Sequence, residues 1–158
     1  MILADANLLV YSLHADLPKH AASKAWLDQA LNGDEPLALC WLVAVTVIRI
    51  TTNTRLFPAA LTVEQALAVL DGWLEQPSVL LIEPGPDHWS ILSGLLREIG
   101  TAGNLTNDAH LAALAIEHNC TLCSADADFR RFAGLRFHNP LSGGGPARRE
   151  PRRGLTSR

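Results

Sequence analysis

Three aspartates far apart in the chain, Asp5, Asp108 and Asp126, stand at similar landmarks. Met1-Ile2-Leu3-Ala4 is a short apolar run that stops at Asp5, and Leu8, Leu9, Tyr11 and Leu13 follow at helical spacing. Cys120-Thr121-Leu122-Cys123-Ser124 is a second short run; it ends in two acids, Asp126 and Asp128. If both runs are parallel strands, Asp5 and Asp126 lie at their carboxyl ends, the edge of an open α/β sheet where ligands bind. Asp108 falls in residues 103–115, which read as a loop feeding a helix with Leu111, Leu114 and Ala115 on an apolar face. In a first helical turn a carboxylate is favoured by the free N–H groups and the dipole, so Asp108 alone also reads as a helix cap. Three separated acids at equivalent landmarks read together as one shared metal site.

The chemistry follows from the donor type. Carboxylates without His or Cys beside them are hard oxygen ligands, which suits Mg²⁺ or Mn²⁺ and argues against zinc. Clustered carboxylates repel, so without a cation at least one holds its proton more tightly than usual. A divalent ion relieves that repulsion, lowers the pKa of a bound water and offsets charge developing on a phosphodiester. Asp128 either joins this set or caps the turn before Phe129. Cys120 and Cys123 form a C-x-x-C, but residues three apart on a strand face opposite sides. All three cysteines read as reduced, buried thiols, as in a cytoplasmic protein.

The elements that must position these groups alternate. Strands are expected at residues 1–5, 37–40, 79–82 (buried), 120–124 and 135–137. Helices are expected at 7–13, 20–31, 62–75, 87–99 and 108–118. The 20–31 helix carries a stripe of Ala22, Ala25, Trp26 and Ala30. The 62–75 helix opens on a Thr62/Gln65 capping box and turns Ala66, Leu67, Leu70, Trp73 and Leu74 inward. Residues 41–52 are ambiguous; their Val, Ile and Thr favour a strand, while their length and continuous apolarity suit a buried helix, which is the reading adopted. Strand–helix alternation implies an α/β fold with a parallel sheet covered by helices.

With 158 residues, one domain is expected, here residues 1–140. A hydrophobic content of 48% with 18% charged residues fits a soluble globular chain, and no apolar run is long enough to span a membrane. No basic leader with a cleavage site opens the sequence. The net charge of −3 is unevenly spread: residues 141–158 hold five arginines against one glutamate, leaving an acidic body. This Gly/Pro/Arg-rich tail reads as disordered, serving either to hold RNA or to solubilise. An acidic body is not a typical nucleic-acid surface, so local cations must offset it if the substrate is RNA.

The chain resembles PIN-domain proteins, in particular VapC-type toxins of bacterial toxin–antitoxin pairs. The resemblance rests on Leu3-Ala4-Asp5-Ala6-Asn7-Leu8-Leu9, on Asn104-Leu105-Thr106-Asn107-Asp108-Ala109-His110-Leu111-Ala112-Ala113-Leu114-Ala115 and on Ser124-Ala125-Asp126-Ala127-Asp128-Phe129. It implies a PIN-like fold, a Mg²⁺- or Mn²⁺-dependent endoribonuclease, a homodimer and a cognate antitoxin in a hetero-oligomer. It implies metal binding by Asp5, Asp108 and Asp126, with Asn7 holding the site by hydrogen bonds and Ser124 lining it. One departure stands out. Arg49 matches a family Arg that usually follows a Glu by three residues, and this chain has Thr46 there. Either the aspartates suffice, with Asp128 compensating, or metal binding is weakened. The Thr46 hydroxyl could bond a water of the metal, or Thr46 is an ordinary helix residue.

Arg49 and Arg55 could contact phosphates or be plain surface residues. His110 points away from Asp108 around their helix and reads as outside the site. Trp26, Trp41, Trp73 and Trp89 read as core or dimer interface. Two rivals remain. One is a phosphatase with Asp5 as nucleophile, which would want a second acid where Asn7 stands. The other is a catalytically weakened PIN-like module that binds RNA or docks an antitoxin.

Overall fold

A computed structural model describes residues 1–142; the expected tail lies, beyond Ser142, outside the described residues. Five strands, β1 (Ile2–Ala4), β2 (Leu37–Leu39), β3 (Val79–Leu81), β4 (Thr121–Cys123) and β5 (Arg136–His138), form one parallel sheet in the order β3-β2-β1-β4-β5. Six helices connect them: α1 (Ala6–Leu13), α2 (His20–Asn32), α3 (Trp41–Thr51), α4 (Val63–Leu74), α5 (His88–Ile99) and α6 (Thr106–Glu117). The alternation expected from the sequence is the observed one. The strand order runs outward from β1 in one direction to β3 and in the other to β5. Its reversal between β1 and β4 opens a crevice at their carboxyl ends.

Each strand is three residues, about 10 Å long, so the sheet is narrow and helices supply much of the core. α6 is central. Ala109 and residues 111–115 are all buried, so this helix is enclosed on nearly every side rather than along one stripe. α5 packs along it, and α1 packs on α2 and α3. The ambiguous stretch is helical: Val43, Ala44, Val47 and Thr51 face the core, and the Thr51 and Thr52 hydroxyls donate back to the carbonyls of Val47 and Ile48. The capping box closes α4 as expected, with the Gln65 N–H donating to Thr62 Oγ1 and the Thr62 N–H to Gln65 Oε1.

Several burial expectations need correction. β3 is an edge strand; Val79 and Ile82 are buried, but Leu80 and Leu81 are exposed because nothing pairs beyond it among the described residues. On α2 the core-facing residues are Ser23, Leu27 and Ala30, while Ala22 and Ala25 line an open groove of ≈ 490 Å³ with Trp26. Leu67 faces outward on α4. Trp73 is core, Trp26 is half-buried, and Trp41 and Trp89 are exposed at 52% and 73%, too open to be core residues. Cys40, Cys120 and Cys123 are free thiols and buried. No helix among the described residues is long and apolar enough to cross a membrane.

Candidate metal centre

The crevice at the β1–β4 reversal is built from chain ends. The Asp5 N–H donates to the Cys123 carbonyl at 3.0 Å, carrying the strand ladder one residue past β1. That fixes Asp5 at the start of α1. Its Oδ2 accepts from Asn7 Nδ2 and from the Ser124 hydroxyl, each at 2.7 Å. Ser124 is fully buried and saturated, for its Oγ also accepts from Asn7 Nδ2 at 2.8 Å and from the Asp126 N–H at 3.0 Å. Asn7 Oδ1 accepts from the Ala125 N–H at 3.2 Å. Asn7 and Ser124 therefore lock the strand ends together and direct the Asp5 carboxylate, with both bonds falling on one oxygen. Burial pushes the Asp5 carboxyl up from its ordinary value; the Ser124 bond opposes this and the charge of Asp126 adds to it.

Asp126 is exposed and begins the 3₁₀ turn Ala127–Arg131, its Oδ1 accepting from the Asp128 N–H at 2.9 Å. Asp128 is exposed beside it. Asp108 enters from α6, which follows the 3₁₀ turn Gly103–Leu105 and presents this acid in its first turn. No side-chain cap bond is made at that terminus. Desolvation, then the charges of Asp5, Asp126 and Asp128, push its carboxyl to about 6. All four aspartates thus share one electrostatic neighbourhood.

Thr46 is half-buried in the middle of α3. Arg49 is exposed in the last turn of α3 and Arg55 is exposed beyond it. Neither arginine is ion-paired among the described residues, and the structure does not join them to the acidic group. His110 points to α5, where its Nδ1 lies 2.9 Å from His88 Nε2. Two further features carry no local sequence signal. One is this histidine pair, whose members come from different helices. The other is Cys40, a buried thiol at the head of α3 whose proton is held more tightly by burial and, among smaller effects, by the charge of Asp5.

The donor set fits a hard divalent cation. The charges of Asp5, Asp126 and Asp128 all bear on Asp108, a clash that a cation would relieve, and the neighbouring sulfurs are protonated thiols rather than thiolates, with Cys123 pushed to about 12. Among the described residues no three His, Cys, Asp or Glu side chains stand close enough together, as they are placed, to hold a metal ion. Asp5, Asp108 and Asp126 are the residues that would hold such an ion, with side-chain rearrangement needed to do so.

Comparison with known proteins finds similarity over most of the chain. The family model described as "PIN domain" matches residues 2–135. Ribonuclease VapC37 of Mycobacterium tuberculosis is 41% identical over 140 residues, which is 89% of this chain and 97% of the relative. Ribonuclease VapC33 of the same species is 40% identical over 141 residues, 89% and 99%. Among solved structures, VapBC2 from Rickettsia felis, bound to a promoter DNA fragment, has a similar fold with a TM-score of 0.64 at 23% identity, covering 88% of this chain and 98% of that one. VapBC-1 from nontypeable Haemophilus influenzae gives 0.63 at 18%, covering 89% and 98%.

Proposed function

The chain belongs to the PIN-domain family, and from that premise we propose that it is a VapC-type toxin, a Mg²⁺- or Mn²⁺-dependent endoribonuclease that restrains growth by cleaving RNA. The observation that most supports the site assignment is the Asp108 carboxyl, driven to about 6 by burial and by the charges of Asp5, Asp126 and Asp128. Asp5, Asp108 and Asp126 are the proposed ligands and catalytic residues, with Asp128 at the rim. Asn7 and Ser124 hold the Asp5 carboxylate in one orientation and supply hydrogen bonds to its charged form. A bound divalent cation supplies charge neutralisation at the scissile phosphodiester and a more acidic water. Asp126, its Oδ1 held by the Asp128 N–H, stands on the exposed side of the crevice. Arg49 and Arg55 are the exposed cations offered to RNA phosphates further along α3.

The same reading assigns a cognate antitoxin, a homodimer and a toxin–antitoxin hetero-oligomer in the cytoplasm. The solved VapBC relatives and the exposed Trp41 and Trp89 support partners of this kind. Residues 1–140 form the proposed nuclease domain.

Asp5→Asn is the deciding variant. It is expected to fold, as judged by circular dichroism, and to lose both growth inhibition and RNA cleavage; cleavage at the wild-type rate would remove Asp5 from the mechanism. Thr46, neutral where relatives of this type usually carry a Glu, favours a second reading, a weakened module that binds without cutting. Calorimetry with Mn²⁺ separates the two: absence of binding supports the module.

A further inference from the structure

We propose that His88 is a positioning residue for the acidic crevice: it bridges His110 and Glu117 on one face of α6 and thereby sets how that helix is rotated and where Asp108 points. The inference rests on the reading of Asp108 as a metal ligand. His110 and Glu117 are seven residues apart, so they share a face of α6. Asp108 precedes His110 by two residues, about 200° around the axis, and so faces the opposite way.

His88 opens α5 and is 8% exposed. Its Nε2 lies 2.9 Å from His110 Nδ1, with the rings edge to face at 73°. Its Nδ1 lies 3.4 Å from Glu117 Oε2, an ion-pair distance without a hydrogen bond. Glu117 is itself anchored, accepting from the Gly85 N–H at 3.0 Å and the Asp87 N–H at 3.1 Å. A Cβ at Gly85 would sit 2.6 Å from Glu117 Oε1, so a side chain there would push the end of Glu117 aside. The corner ahead of α5 is thus fastened to the last turn of α6, and His88 carries the fastening two turns back toward Asp108.

The remaining surface of α6 explains why this matters. Ala109, Leu111, Ala112, Ala113, Leu114 and Ala115 are its buried apolar side chains, which hold the helix by packing and make no hydrogen bond that orients it about its axis. His118 bonds the Glu83 carbonyl, but at the far end. Among the described residues, His88–His110 is the directional contact in the half of α6 that carries the acid.

The test compares wild type, His88→Phe, which keeps a ring without its nitrogens, and His88→Gln, which keeps a donor and an acceptor. Mn²⁺ affinity is measured by calorimetry, and kcat and KM by RNA cleavage. His88→Phe is expected to weaken Mn²⁺ binding and lower kcat roughly tenfold, with little change in KM, and His88→Gln to recover part of both. Should His88→Phe not fold, His110→Phe cuts the same bridge from α6 and carries the same expectation. Wild-type Mn²⁺ affinity in the folded Phe variant overturns the proposal. Asp5→Asn run alongside separates the failures. If it loses Mn²⁺ binding while the bridge variants keep it, only the bridge falls. If it binds Mn²⁺ as wild type does, the metal reading falls and takes the bridge with it.

Discussion

Ser124 has a single proton, and it goes to Asp5 while two N–H groups point at its oxygen. Ser124→Ala removes one donor and strands two others in a buried place, so it is expected to cost about 1–3 kcal/mol, read as a lower melting temperature. It should also weaken Mn²⁺ binding by roughly 10–100-fold in calorimetry. Asp108 makes the opposite case. Its folded carboxyl sits at about 6, above the ordinary 3.8, so between those values the native chain holds a proton that the unfolded chain has released. This group's contribution therefore makes the metal-free fold less stable as pH rises from 4 through 6. In chelator, Asp108→Asn should melt higher than wild type at pH 7, by the equivalent of roughly 1–2 kcal/mol after discounting for its partial exposure, and the gain should vanish near pH 4. An unchanged difference across that range would detach Asp108 from the other acids. At this scale the sequence was readable where chemistry and chain landmarks coincide, as for the acids after β1 and β4. The roles of Asn7 and Ser124 came only through the family resemblance. His88 was not readable at all, because its partners lie on another helix and no periodicity links them.

The elements divide the same way. α4 announces itself through Thr62 and Gln65, since a capping box is purely local chemistry. Thr62→Ala should lower stability by about 1 kcal/mol, seen in thermal melts, and leave RNA cleavage unchanged because α4 contributes no group to the crevice. α3 was read as the helix it is from its length and continuous apolarity, against a composition that pulls the other way. Its β-branched residues speak for a strand, and what decides for helix is tertiary: an apolar face at 43, 44, 47 and 51 buried against the core. Exposure misled in the reverse direction at β3 and α2. A run such as Val79-Leu80-Leu81-Ile82 looks buried, yet strand order places it at the edge, and strand order is not written in any one segment. The stripe on α2 held at Ala30 but not at Ala22 and Ala25, because small alanines border a groove as readily as they fill a core.

Across the whole molecule, the order β3-β2-β1-β4-β5 brings residues more than a hundred positions apart to one edge, which is why Asp5, Ser124 and Asp126 meet. The body that surrounds them is acidic, so a cation in the crevice lowers the repulsion RNA would otherwise feel on approach. The three sealed thiols have a use of their own. Cys123 is pushed to about 12, and burial also raises Cys40 and Cys120, so alkylating reagents find almost no thiolate in the native chain. Iodoacetamide labelling should stay slow in buffer and become fast in denaturant, as followed by intact mass. Cys40 at the head of α3 and Cys123 at the end of β4 would then act as built-in clocks, timing how often each side of the crevice breathes open, with no dye or engineered tag attached.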